Sequence, residues 1–259
     1  MMRRAYRNPV QINPPFGYNE IVPMQKGQKV RLPGPGEIPE FCRKTNAVPI
    51  SFSEFAVACR DYPLTFIPGE GGRTFSPVAV LGVTGGENLF LREGRWDSAV
   101  YYPAYLRRYP FCMARVTLNS VEQADRLICV EEAFLSDAGE LMFDDAGAPL
   151  ARWLPIEKLL REYETDIERA REMCAILSDY ALLEPFTLQA SLMGGTMSFG
   201  GMFRVDEKRL ESLNAAQHKT LIRKGIMGRI YAHLMSLDNF ARLIARKETM
   251  GAATRSGRG

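Results

Sequence analysis

The sequence predicts an α+β fold: an antiparallel-rich mixed sheet with a long amphipathic helix and a C-terminal helical segment. Three observations carry that expectation. Strand-like runs crowd the stretch before residue 132, the apolar period lengthens from two to about three and a half after Pro155, and short helix-like runs follow Asp206.

Taken in order, Ser51-x-x-Glu54 has the spacing of a capping box and predicts a short helix to residue 60, ended by Tyr62-Pro63. Residues 64–67 and 77–83 read as strands, the second apolar enough for burial on both faces. Gly85-Gly86 predicts a turn that brings residues 88–91 back as a hairpin. Residues 111–118 and 127–132 read as two more strands. Ile156, Leu159, Tyr163, Ile167, Ala170, Cys174 and Leu177 then form one helical stripe, with Pro155 in the first turn and acidic and basic residues opposite. Residues 185–205 read as a hairpin around a Gly-rich turn. Asp206 caps a run of helices over 207–213, 215–224 and 226–247.

Composition bounds the rest. With 259 residues, 46% of them hydrophobic, the chain is long enough to bury a sizeable core. No apolar run approaches the ~20 residues that span a bilayer. The basic start has no apolar stretch behind it, so Sec-type export is not expected and the expected location is cytoplasmic or peripheral. Residues 1–44 hold seven of the sixteen prolines and are expected as a Pro/Gly-rich arm. Residues 45–248 are expected as one α+β domain, and 249–259, rich in Gly, Ala and Arg, as a disordered tail.

The five cysteines, at 42, 59, 112, 129 and 174, are odd in number and widely spaced, which fits buried free thiols better than zinc or disulfides. The net charge of +3 is unevenly spread: residues 219–247 carry seven cations against one acid. That basic segment reads as docking onto the acidic body or as a solvated helix face. Nucleic-acid binding is not expected, because it needs a contiguous cluster of cations.

Candidate chemistry is sparse. His218 and His233 have no ligand-spaced neighbour, and His233 reads as a hydrogen-bonded packing residue, so no metal or other cofactor is expected. Glu131 and Glu132 are adjacent in a strand and face opposite ways, and Asp144-Asp145 reads as a turn. The densest recognition chemistry lies in Asn88, Trp96, Tyr101, Tyr102, Tyr105, Arg107 and Arg108. Arginine forks bind carboxylates, phosphates or sugar hydroxyls, and aromatic faces stack on ligands. Asn88, Trp96, Tyr102, Tyr105, Arg107 and Arg108 are the candidate ligand- or partner-binding residues. The plainer reading makes the aromatics core and pairs Arg107 with an acid.

The chain resembles the SapC-like proteins, a bacterial family named for a surface-layer associated member. The residues that carry the resemblance include Val48-Pro49-Ile50, Glu54-Phe55, Asp61-Tyr62-Pro63, Glu87-Asn88-Leu89-Phe90, Gly94-Arg95-Trp96-Asp97, Tyr102-Pro103-Ala104-Tyr105 and Arg107-Arg108-Tyr109-Pro110-Phe111. Later ones include Cys129-Val130-Glu131-Glu132, Leu183-Glu184-Pro185-Phe186 and Ala232-His233-Leu234. The resemblance implies surface-layer, export or uptake biology and brings no catalytic residues. The expectation is a non-enzymatic binding or accessory protein with a protein partner in an envelope system and a peptide or glycan ligand. Its rival is an enzyme using Glu131, Asp144 or Asp145 with an arginine. The helical stripe from Pro155 to Leu177 fits a dimer seam or only the internal core, so the oligomeric state stays open.

Overall fold

The computed structural model describes residues 11–118, 121–122, 126–192 and 195–256. It is an α+β protein in which every described strand pair is antiparallel. Its contacts gather into two compact units, residues 1–41 with 108–164 and residues 42–107 with 165–259.

In the first unit the proline-rich segment supplies strands. Ile21–Pro23 lies at one edge of a three-stranded sheet, beside Leu127–Glu131, which pairs in turn with Phe111–Ala114. An edge is where a proline costs no ladder bond. Lys29–Val30 pairs with Glu140–Leu141. The core collects Val30, Phe111, Val130, Phe134, Met142 and Leu160 around Trp153. Tyr18 and Ile21 are buried and Phe16 stays exposed.

The helix Trp153–Asp179 starts two residues before Pro155. Tyr163, Ala170, Cys174 and Leu177 are buried as the periodicity predicts, but Leu160 is buried in place of Leu159. Trp153 anchors the first turn, and the inward positions that follow it at helical spacing are 156, 160 and 163.

The second unit holds a five-stranded sheet in the order Leu183–Leu192, Gly195–Val205, Leu64–Pro68, Phe75–Val80, Ala47–Pro49. The capping box is half made: Glu54 accepts from the Ser51 N–H at 2.9 Å, but only one helical turn follows, Phe55–Ala58. The hairpin expected over 77–91 does not form a ladder. Phe75–Val80 already has a strand on each side, and a single bond links Leu89 N–H to Leu81 C=O at 2.8 Å. The helix expected over 226–247 is two, Ile226–Ser236 and Asn239–Ser256. The second carries helical backbone past Thr249, where Ala252 and Ala253 are strong helix formers.

The break has a local cause. Ser236 donates back to His233 C=O at 2.6 Å and accepts the Leu64 N–H at 2.9 Å. Asn239 donates to the carbonyls of Cys59 and Tyr62 at 2.8 and 3.1 Å. Side chains that bond to another backbone compete with continuing their own helix.

His233 does more than pack. Strands 64–68 and 195–205 pair directly only at Phe66 and Phe203, and the same register sets Leu64 opposite Val205. There the ladder opens around the fully buried imidazole. Val205 N–H donates to Nε2 at 3.1 Å, and Nδ1 donates to Leu64 C=O at 2.7 Å. Those partners require the neutral ring with its proton on Nδ1.

Burial pushes His233 from 6.5 down to about 4. A histidine lowered in the folded state takes its proton first in the unfolded chain. Its stabilisation is complete above pH ~6.5 and falls as pH drops towards about 4. The expected loss across that window is about 3 kcal/mol. Denaturant melts at pH 7, 5.5 and 4.5 check this: His233→Gln, which keeps a donor and an acceptor but does not titrate, should lack that component of the pH dependence.

Candidate functional site

Three of the six candidate residues, Trp96, Tyr102 and Arg107, gather around one residue that the grouping did not put at its centre, Tyr101. Its N–H donates to Asp61 Oδ2 at 2.8 Å. Its C=O accepts from the Tyr62 hydroxyl and from Trp96 Nε1, the latter at 3.3 Å. Its hydroxyl donates to Glu54 Oε1 at 3.0 Å and accepts from Arg107 Nη2 at 2.9 Å.

Glu54 is the buried end of this chain, 4% exposed. Besides Tyr101 and Ser51 it accepts the Ala104 N–H at 2.7 Å, and so caps the single helical turn Ala104–Arg107 from outside. A helix start leaves N–H groups without intrahelical acceptors, and a carboxylate there also meets the positive end of the turn. One buried acid therefore fixes both the tyrosine and the turn that carries Arg107.

Trp96 comes from the hairpin Leu91–Arg92 with Arg95–Trp96. Its two-residue turn, Glu93-Gly94, has φ of 52° and 76°, the left-handed pair that matches strand twist. At Gly94 the left-handed backbone is what favours glycine, since a Cβ there would meet the movable end of the Arg43 side chain. The Trp96 ring lies 5.1 Å from Tyr102 and 6.2 Å from Phe90, stacked on the latter. Trp96 and Tyr102 are half-buried, and Arg107 is exposed beyond them.

The other predicted residues sit elsewhere. Asn88 is buried, donating to Cys42 C=O at 2.9 Å and accepting from Phe90 N–H at 3.0 Å. Tyr105 is buried. Arg108 belongs to the first unit and is 4% exposed, with Nη1 3.5 Å from Glu164 and its guanidinium 4.6 Å from the Tyr163 ring centre. Adjacent residues on a tight turn diverge, which sends one arginine outwards and the other inwards. Glu54 and Asp61 were missed as parts of the site because Glu54 reads first as a cap; the available signal was their presence among the residues that carry the family resemblance.

Burial sets the protonation of the tyrosines around Trp96. Burial first, and then the Glu54 carboxylate beside it, push the Tyr101 hydroxyl above its usual value. Burial does the same to Tyr102. Both stay protonated near neutral pH, as donors and apolar faces rather than bases. The carboxylates of the rival reading bond to backbone: buried Glu131 accepts the N–H groups of Asn19 and Glu20, and exposed Asp144 accepts that of Ala148. Burial pushes the thiols of Cys42, Cys112 and Cys174 up to about 12 and that of Cys129 to about 11. Such thiols are poor nucleophiles. Among the described residues no group of three or more His, Cys, Asp or Glu is placed to hold a metal ion, and no helix is long and apolar enough to cross a membrane.

The two neighbouring arginines should separate cleanly in a thermal or denaturant melt. Arg107→Ala is expected to leave stability within about 0.5 kcal/mol of the parent, as for an exposed side chain. Arg108→Ala should cost about 2–3 kcal/mol, less than stranding a buried acid outright because Glu164 keeps Arg126.

No curated protein and no solved structure matches the chain. The family model described as SapC matches residues 33–243, most of the 259. That span contains the five-stranded sheet, the Glu54–Tyr101–Arg107 chain and the His233 bridge, and the chain belongs to the SapC family.

Proposed function

We propose that this chain is a non-enzymatic binding or accessory protein of a bacterial surface-layer, export or uptake system, with Trp96, Tyr102 and Arg107 as its recognition shelf. The observation that carries the reading is the exposed Arg107, oriented through the Tyr101 hydroxyl by a buried carboxylate. A guanidinium held in this way presents its other donors to solvent in a fixed plane and loses little freedom on binding. Half-buried Trp96 and Tyr102 add faces on which a sugar ring or an apolar side chain stacks. The ligand that suits this shelf is a peptide or glycan bearing a carboxylate, met bidentately by the arginine fork. The envelope setting rests on the family resemblance.

The test is binding of the purified chain to arrays of carboxylate-bearing peptides and glycans. Arg107→Ala should weaken the best ligand by about tenfold or more while the melting curve is unchanged. Arg107→Lys should recover only part of the loss, because an ammonium keeps the charge without the fork. Unaltered binding by Arg107→Ala, or chemical conversion of the bound ligand, overturns the reading.

A further inference from the structure

Two polar groups of the candidate site are left over by the protein's own bonding. Exposed Arg107 spends one N–H on the Tyr101 hydroxyl, and no carboxylate pairs with it among the described residues. A two-pronged edge of the guanidinium therefore stays open. The Tyr102 hydroxyl is the second. It has no hydrogen-bond partner among the described residues, and it is not sealed from solvent. Around it the polar atoms are taken: the Tyr101 hydroxyl donates to Glu54, and the Tyr62 hydroxyl and Trp96 Nε1 both donate to Tyr101 C=O. A tyrosine ring that is mostly covered finds a partner for its hydroxyl as a rule, so one left open beside a tryptophan is notable.

The two groups share one neighbourhood. Burial, with Cys42 beside it, raises the Tyr102 hydroxyl above its usual range, and the Arg107 charge acts on it in the opposite sense. The hydroxyl is thus a donor at neutral pH. Trp96 and Tyr102 stand 5.1 Å apart and tilted by 55°, which makes a corner rather than a flat wall. A ligand that uses all of this needs a carboxylate, a C–H face and an oxygen acceptor close to the carboxylate. A pyranose acid has the three together, because its carboxylate is flanked by the ring oxygen and a hydroxyl. A peptide's terminal carboxylate also meets the arginine, but beside it stand an amide and a side chain rather than a ring edged with oxygens.

We infer that the ligand of this shelf is a sugar acid, held with its carboxylate on Arg107, its ring face in the corner of Trp96 and Tyr102, and an adjacent oxygen on the Tyr102 hydroxyl. The inference rests on the binding reading above and makes Tyr102 the residue that selects sugar acids over peptides. Calorimetry of the purified full chain tests it, with oligosaccharides of glucuronate, galacturonate and mannuronate, their carboxyl-reduced forms, and peptides with a free C-terminal carboxylate. At least one acid should bind tenfold or more tightly than its reduced form. Tyr102→Phe keeps the ring and removes a hydroxyl that bonds to nothing in the protein, so the melting curve should not move. Affinity for that acid should fall about three- to tenfold, and any peptide binding should stay as it was. Acids that bind no better than their reduced forms, a peptide that binds more tightly than every acid, or an affinity indifferent to Tyr102→Phe overturns the inference. If Arg107→Ala still weakens binding in those cases, the binding reading stands without it; if Arg107→Ala changes nothing, both fall.

Discussion

The larger unit depends on a helix whose polar side chains take the place of strand-to-strand bonds. Where strands 64–68 and 195–205 part, His233 bridges Leu64 C=O and Val205 N–H, and Ser236 takes the Leu64 N–H. A buried backbone group without a partner costs about as much as a lost hydrogen bond, so these contacts decide whether the sheet can open there at all. Asn239, at the start of the next helix, holds the carbonyls of Cys59 and Tyr62. The segment from Cys59 to Leu64 is thus set by three side chains from the far end of the sequence.

That segment in turn sets the candidate site. Asp61 and Tyr62 take the two backbone groups of Tyr101, and Glu54 takes its hydroxyl, so Arg107 inherits its orientation through a chain of bonds anchored in the core. Burial pushes its tyrosines towards the protonated form and does the same to the thiols of Cys42 and Cys174 in the same unit.

The basic C-terminal segment resolves into inward and outward parts. Lys224, Arg246 and Lys247 meet Glu172, Asp97 and Glu87, and Arg242 donates to Arg60 C=O. Most of the positive charge that is conspicuous in the sequence is therefore answered within the second unit. Beside exposed Lys219, Arg223 and Arg242 the segment also offers apolar side chains to solvent, in Ile222, Tyr231 and Met235. Sequence periodicity finds the buried stripe of such a helix readily. A second apolar row is visible only once the first has been assigned to the core.

By itself the sequence determined the element types, the long helix, the Asp206 cap and the family. These follow from local patterns: alternation of two for strands, three to four for helices, a side-chain acceptor at a helix start. His233 was legible as a packing residue because an apolar helical surrounding implies burial. Only the tertiary structure decided that the ring sits inside a sheet ladder, since that depends on two strands some 140 residues apart in sequence failing to meet. The same distinction separates Arg107 from Arg108. Adjacent and chemically identical, they look like one recognition pair, yet one turn of helix capped by Glu54 sends Arg107 to solvent while Arg108 is drawn to Glu164. Residue type sets what a side chain can bind; which way the backbone turns beneath it sets what it does bind.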